Sequence, residues 1–177
     1  EDEPPTPAAY AEAIVGALRE SCATHTLALP TLIVEPGRSM TGRAGVAVYT
    51  VGAIKEVPGI RTYVSVDGGM GDNIRPALYG SRYVAVAADR AAETPDRTAT
   101  IAGKYCESGG VLIHDAELAE VSAGSIIAIP ASGAYTPSMA STYNLIGRPA
   151  MVLVSDGKAT LIRRRETEID LMAQDVL

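Results

Sequence analysis

The sequence contains no Phe and no Trp, and its eight Tyr are its only aromatic residues. A core must therefore be built from Val, Ile, Leu and Ala with a few Tyr, although 47% of the 177 positions are apolar. That length suits one ordinary domain or two small pieces. Cysteine is nearly absent. Cys22 and Cys106 are too few for a disulfide framework, and a reducing cytoplasm is the expected compartment. No apolar run approaches the roughly 20 residues that cross a bilayer, and no signal peptide is recognisable. The formal net charge of -6 argues against a nucleic-acid or anionic-membrane partner, which would favour a basic face. The two histidines, His25 and His114, have no partners at ligand spacing, so no metal is expected.

What is present divides the chain in two. The polar, Pro-rich start, which does not begin with Met, reads as a loop; either the start was processed or the chain is part of a longer protein. Thr6-Pro7 then signals a helix, with Thr as N-cap and Pro at the first helical position. Tyr10, Ile14, Ala17, Leu18 and Cys22 recur at three- and four-residue steps and form one apolar stripe. Residues 31–34, Thr-Leu-Ile-Val, read as a short buried parallel strand. A helix followed by such a strand is half of a βαβ repeat, and a barrel needs eight repeats. From residue 44 the pattern becomes short strands separated by Gly, Pro, Asn and Asp: 44–57, 61–67, 82–87, 98–102, 111–114, 125–129, 150–155 and 158–164. Asp156-Gly157 favours a hairpin between the last two. The final residues carry Ile169, Met172 and Val176 at helical spacing and predict a docking helix over 166–176. The expected fold is α+β. An α/β piece over 1–43 precedes a mainly β domain, a Greek-key sandwich or barrel, over 44–165, and the docking helix closes the chain at 166–177.

Four stretches carry candidate chemistry. In Glu35-Pro36-Gly37-Arg38 the glycine lets backbone approach a phosphate, and the guanidinium can clamp a carboxylate; the alternative is a strand-ending turn with an exposed ion pair. Arg75 and Tyr79 are four residues apart and share a face of any helical turn; the alternative is a surface Arg packed on a Tyr. Cys106 and Glu107 sit in a Gly-rich turn before a strand. There a thiol can meet a ligand, although free Cys often behaves as a small buried hydrophobe. The adjacent carboxylate opposes loss of the thiol proton. Tyr135, in Ser132-Gly133-Ala134-Tyr135, follows a strand and a Pro; a Tyr packed at a loop with a wet tip is its plainer reading. Gly68-Gly69-Met70-Gly71 matches no nucleotide-binding pattern and reads as a turn before Asp72. Arg163-Arg164-Arg165 reads as a solvated strand end.

In this order the four stretches resemble the C-terminal half of the diaminopimelate decarboxylase family, over nearly the whole chain. The resemblance implies a fold-type III enzyme, in which a (β/α)8 barrel holds pyridoxal 5'-phosphate (PLP) and a C-terminal β domain completes the site. It implies that residues 1–43 are a remnant of that barrel. It also implies that Glu35, Pro36, Gly37, Arg38 and Tyr135 contact the cofactor. Arg38, Arg75, Tyr79, Glu107 and Tyr135 would contact the substrate, whose distal carboxylate suits a pair of arginines. Cys106 would be the proton donor, reaching the other subunit's site in a homodimer. Two positions depart from the family pattern. Gly110 stands where Asp is usual after Cys-Glu-Ser-Gly, and Ser125 stands where Gly-Asp is common.

The lysine that carries the cofactor in such enzymes has no candidate here. The lysines are Lys55, Lys104 and Lys158, all within the β pattern. The chain alone is thus expected to be inactive, with the rest of the barrel as its missing partner. Three rivals remain. One is a relative acting on ornithine, arginine or a similar basic amino acid, against which the paired arginines argue. Another is a non-catalytic dimerisation or regulatory module. The third is an unrelated β-sandwich binding protein, against which the four motifs in register argue.

Overall fold

A computed structural model describes residues 4–176, which divide into two compact units, one ending at Glu35 and the other starting at Pro36. In the first unit, helix α1 (Pro7–Thr24) starts as predicted. Thr6 is its N-cap, and the side-chain oxygen accepts from the Ala9 N–H at 3.2 Å. Only Cys22 of the apolar stripe is buried, while Tyr10 and Ile14 stay exposed. The strand expected at 31–34 is not formed. Leu32, Ile33 and Val34 are exposed, and no strand among the described residues pairs with them. A parallel strand needs neighbours to take up its backbone N–H and C=O groups, and the described chain supplies none here.

The second unit is mainly sheet. Helix α2 (Gly37–Thr41) leads through a 3-10 turn to β1 (Ala47–Val57) and β2 (Arg61–Val66). Helix α3 (Arg75–Tyr79), β3 (Val86–Ala87), β4 (Arg97–Ala102), β5 (Val111–Leu118) and β6 (Ile126–Ile129) follow. After α4 (Thr136–Met139) come the hairpin β7 (Met151–Ser155) and β8 (Lys158–Arg163), and a single turn α5 (Glu168–Leu171). Six strands make one sheet in the order β3-β6-β1-β2-β4-β5, antiparallel except for β2 with β4.

The domain is mainly sheet, as expected, and its six strands make one curled half-barrel, for which β1 is the reason. Its first half pairs with β6 and its second half with β2, so one long strand joins what would otherwise be two sheets. The register shifts between Val51 and Ala53, where Gly52 provides the bulge that bends the strand. The curled sheet encloses one core. Ile101, Ile127 and Ile129 are fully buried among Val51, Val64, Val66 and Leu118, with Tyr49 as the one buried ring of the cluster.

Three sequence expectations change for local reasons. The strand predicted over 82–87 shrinks to Val86–Ala87, because it is an edge strand whose only neighbour is the four-residue β6. The strand predicted over 111–114 continues to Leu118. Ile101 pairs with Ile113 and Ala99 with Ala116, so β5 carries an extra residue, and Asp115 absorbs it at φ 51°. The docking helix over 166–176 is one turn, and Ile169, Met172 and Val176 are exposed. Its start is held by Asp170, whose carboxylate accepts from the Thr167 N–H at 2.8 Å and pairs with Arg164. One capped turn is too short to stand without apolar cover. The β7–β8 turn forms as predicted, with Asp156 and Gly157 both at positive φ. Among the described residues no helix is long and apolar enough to cross a membrane.

The link between core and site is the loop before α3. Tyr49, on β1, donates its hydroxyl hydrogen to Asp72 Oδ2 at 2.5 Å, and the Gly69 N–H donates to Asp72 Oδ1 at 2.8 Å. A Cβ on Gly71 would stand 2.0 Å from the Tyr105 hydroxyl, so only glycine fits between the loop and that ring. Burial holds the Asp72 carboxyl above its ordinary value of 3.8, although Tyr49 and the Gly69 amide pull it down.

Two measurements check this account. Ile127→Ala should lower the unfolding free energy by about 2–5 kcal/mol in urea denaturation, since it empties the centre of the core. The folded state binds the Asp72 proton more tightly than the unfolded chain. The carboxyl's contribution to stability is therefore fully present below the ordinary Asp value and is lost as pH rises through the raised one. Asp72→Asn keeps an acceptor for Tyr49 but cannot ionise. Its urea midpoint should fall less than the parent's across that acidic window, and parallel profiles would refute the assignment.

Candidate functional site

Arg75 is the centre of the site. Pro76 opens α3 and Gly80, at φ 61°, closes it, its N–H donating to the Pro76 carbonyl at 3.0 Å. The short helix sets Arg75 and Tyr79 on one face, as predicted. The Arg75 guanidinium carbon lies 5.3 Å from the Tyr79 ring centre and 5.9 Å from that of Tyr135. Arg75 is 7% exposed, so it is not a surface arginine. Its Nη2 donates to Ser81 Oγ at 3.3 Å, its Nε has no partner, and no carboxylate among the described residues pairs with it. A buried cation without a counter-charge is costly unless a ligand supplies one. Beside it opens a hollow of about 490 Å³ lined by Arg75, Tyr79, Tyr135, Ser138 and Met139.

Backbone contact brings two of the sequence stretches together. The Gly133 N–H donates to the Gly42 carbonyl at 3.0 Å, and the Ser132 N–H to the Gly45 carbonyl at 2.9 Å. A Cβ on Gly133 would stand 1.8 Å from the Thr41 carbonyl oxygen, so the close approach requires glycine. As a result the Tyr135 hydroxyl lies 3.8 Å from where a Gly37 Cβ would be. Pro36 caps α2, and Arg38 is exposed on that helix, with no ion pair among the described residues. Glu35 is exposed and ends the first unit.

Cys106 and Glu107 are placed elsewhere. Their loop continues into a 3-10 turn, where a Cβ on Gly109 would lie 3.2 Å from Ala77 Cβ on α3. Ala77 is two residues from Arg75, about 200° round a helix of about 3.6 residues per turn. The thiol loop and the hollow thus lie against different faces of α3, and neither Cys106 nor Glu107 lines the hollow. Both are exposed. The Tyr143 hydroxyl donates to Glu107 Oε1 at 2.6 Å, and this bond pushes the Tyr143 phenol above its ordinary value. The Asn144 amide lies 3.9 Å from Cys106 Sγ.

The two departures from the family pattern have local accounts. Gly110 is buried, its N–H donates to the Glu107 carbonyl at 2.9 Å, and a Cβ there would stand 3.3 Å from the Tyr105 carbonyl oxygen. The turn closes tightly round a residue without a side chain. Ser125 Oγ accepts from the Ser122 N–H at 3.0 Å and serves its own turn.

Sequence reasoning missed Ser138, Met139, Tyr143 and Asn144. Thr136-Pro137 could have announced α4, and with it two walls of the hollow. Nothing in the order of residues says that 143–144 meets 106–107. His114 contacts Arg61, away from this region, and the described residues hold no group of three His, Cys, Asp or Glu able to bind a metal ion.

Comparison with known proteins identifies the family of the fold. The family model described as "Pyridoxal-dependent decarboxylase, C-terminal sheet domain" matches residues 13–133. The diaminopimelate decarboxylase of Bacillus subtilis (strain 168) is 50% identical over 99% of this chain and 40% of its own length. That of Synechocystis sp. is 48% identical over 99% of this chain and 38% of its own. The solved structure of diaminopimelate decarboxylase from M. jannaschii in co-complex with L-lysine is 38% identical, with a TM-score of 0.88 over 100% of this chain and 40% of that one. The chain thus spans about 40% of the length of the relatives it matches. Its curled sheet, its matching residues and its relatives together show that the chain belongs to the pyridoxal-dependent decarboxylase family and carries that family's C-terminal sheet domain.

Proposed function

We propose that this chain is the C-terminal part of a PLP-dependent diaminopimelate decarboxylase, which converts meso-diaminopimelate to L-lysine and CO2. The observation that carries the reading is Arg75, a buried guanidinium without a carboxylate partner among the described residues, open to an aromatic-walled hollow. Diaminopimelate keeps one carboxylate while it loses the other, and a second negative group is what such a cation would hold. An ornithine- or arginine-like substrate would bring a cation to the same place. The relative solved with L-lysine, the product, is consistent with this choice.

The residues at the hollow's edge fit the cofactor. The open edge of Gly37 faces the Tyr135 phenol, and among the described residues the buried Arg75 Nε and Thr136 Oγ1 lack partners. In this reading Glu35, Pro36, Gly37, Arg38 and Tyr135 hold PLP, whose chemistry is to take up the electrons left when CO2 departs. Arg75, Arg38, Tyr79 and Tyr135 anchor the substrate, and Glu107 accepts from its distal ammonium. Cys106 gives the thiol proton to the carbon that lost CO2. Because Cys106 lies across α3 from the hollow, a second copy must bring it there, which is the argument for a homodimer with shared sites.

Helix α1 and the unpaired apolar residues 31–34 suit the end of a (β/α)8 barrel, with residues 1–43 as its remnant, 44–165 as the sheet domain and 166–177 as a terminal docking segment. Residues 1–3 and 177 of those spans lie outside the described residues. None of Lys55, Lys104 or Lys158 lines the hollow, so the lysine that carries PLP belongs to the barrel and these 177 residues alone do not catalyse. Two unpaired cysteines, one of them exposed, suit the cytoplasm.

The test is release of L-lysine and CO2 from meso-diaminopimelate by the protein that joins this chain to a lysine-bearing barrel, with ornithine and arginine as controls. Arg75→Ala should raise KM about 10- to 150-fold through the loss of charged hydrogen bonds, with PLP absorbance retained. Cys106→Ala should slow turnover by about 100-fold or more without loss of PLP. Unchanged turnover in that variant would remove its role, and preference for ornithine would overturn the substrate.

A further inference from the structure

The residues that present Cys106 and Glu107 come from a segment nearly forty positions later. Tyr105 is buried, its ring wedged against the glycine loop that precedes α3, and it forms a fixed platform. The Tyr143 ring stacks on it at 6.0 Å between centres and 29° between planes. From that seat the Tyr143 hydroxyl donates to Glu107 Oε1 at 2.6 Å, a short bond to a charged acceptor. Asn144 and Leu145 follow at φ 57° and 54°, a left-handed pair that turns the chain back on itself. Asn is among the few residues that take this conformation readily. The turn brings the Asn144 amide to 3.9 Å from Cys106 Sγ. The segment is tied at its other end, where the Ser141 N–H donates to the Gly71 carbonyl at 2.8 Å, in the loop that carries Arg75.

We propose that Tyr143 and Asn144 are positioning residues that form a clamp on the Cys106–Glu107 pair. Asn144 orients the thiol and stabilises its anion, and Tyr143 holds the carboxylate and attenuates its charge beside the sulfur. Neither lines the hollow, so both act through the residues they touch. The proposal deepens the reading of Cys106 as the acid, and it rests on that reading for its consequence in turnover. When the S–H bond breaks and the proton forms a C–H bond, the electron pair stays on sulfur. The amide N–H then faces a thiolate until solvent returns a proton. Lys104, Tyr105 and Glu107 are the thiol's ionisable neighbours in the chain, and Tyr143 is brought beside them by its bond to Glu107. Glu107 and Tyr143 are joined to each other, so the clamp couples the two groups that bear on the sulfur most directly.

The test uses the full-length, PLP-loaded protein and reads the pH profile of Cys106 alkylation by iodoacetamide, assigned by peptide mass. Cys22 is buried and serves as the internal control. Asn144→Gly keeps the left-handed backbone and removes the amide; its midpoint should rise by about 0.5–1 pH unit, the worth of one ordinary hydrogen bond. Asn144→Asp keeps backbone and shape but replaces the donor by a carboxylate, and its midpoint should rise further. Tyr143→Phe keeps the ring on Tyr105 and removes the O–H, and it should raise the midpoint while leaving the melting temperature nearly unchanged. In turnover Asn144→Gly should lower kcat with little change in KM, whereas Tyr143→Phe, which frees the carboxylate read as a substrate contact, should move both. Midpoints that coincide with the parent's in Asn144→Gly and Tyr143→Phe would overturn the clamp. Shifted midpoints with unchanged kcat would support the clamp and remove Cys106 as the acid, so the two ideas fail separately.

Discussion

The half-buried hydrogen bond from Tyr49 to Asp72 ties the loop before α3 to the core. Tyr49 stands on β1, the strand on which the whole sheet is assembled, and Asp72 stands three residues before Arg75. Burial, and then the Asp72 charge, push the Tyr49 phenol far above its ordinary value, so it stays a donor. The loop's backbone is therefore held from inside the protein. The orientation of α3, and of the arginine it carries, follows from it.

Round that anchor the structure uses close backbone approach rather than large side chains. A chain without Phe or Trp has little bulk with which to position a site. Glycines at 71 and 133 instead let a ring or a carbonyl come into the space a Cβ would occupy. The close approach at Gly133 sets Tyr135 opposite Gly37, and the one at Gly71 seats Tyr105. Tyr105 in turn supports Tyr143, so one packing device serves both faces of α3.

Helix α3 consequently separates two chemistries. One face offers a buried cation between aromatic rings, which suits an anionic substrate end. The other offers a thiol, a carboxylate and their two supports, all exposed. Among the described residues, the hollow beside Arg75 therefore holds neither Cys106 nor Glu107.

Much of this was legible in the residues themselves. Thr6-Pro7, Asp156-Gly157 and the four-residue step from Arg75 to Tyr79 each report local geometry, and local geometry is set by neighbours in the chain. The long strands β1, β2 and β4, the aliphatic core and the resemblance of four motifs to one family were available for the same reason. Tertiary structure alone decided that 31–34 goes unpaired, that β1 merges two sheets into one, and that β5 resumes after its bulge. It alone made Arg75 buried and placed Tyr143 and Asn144 on Cys106 and Glu107. Pairing partners and burial depend on segments far apart in the chain, and no pattern within a segment encodes which distant segment will face it.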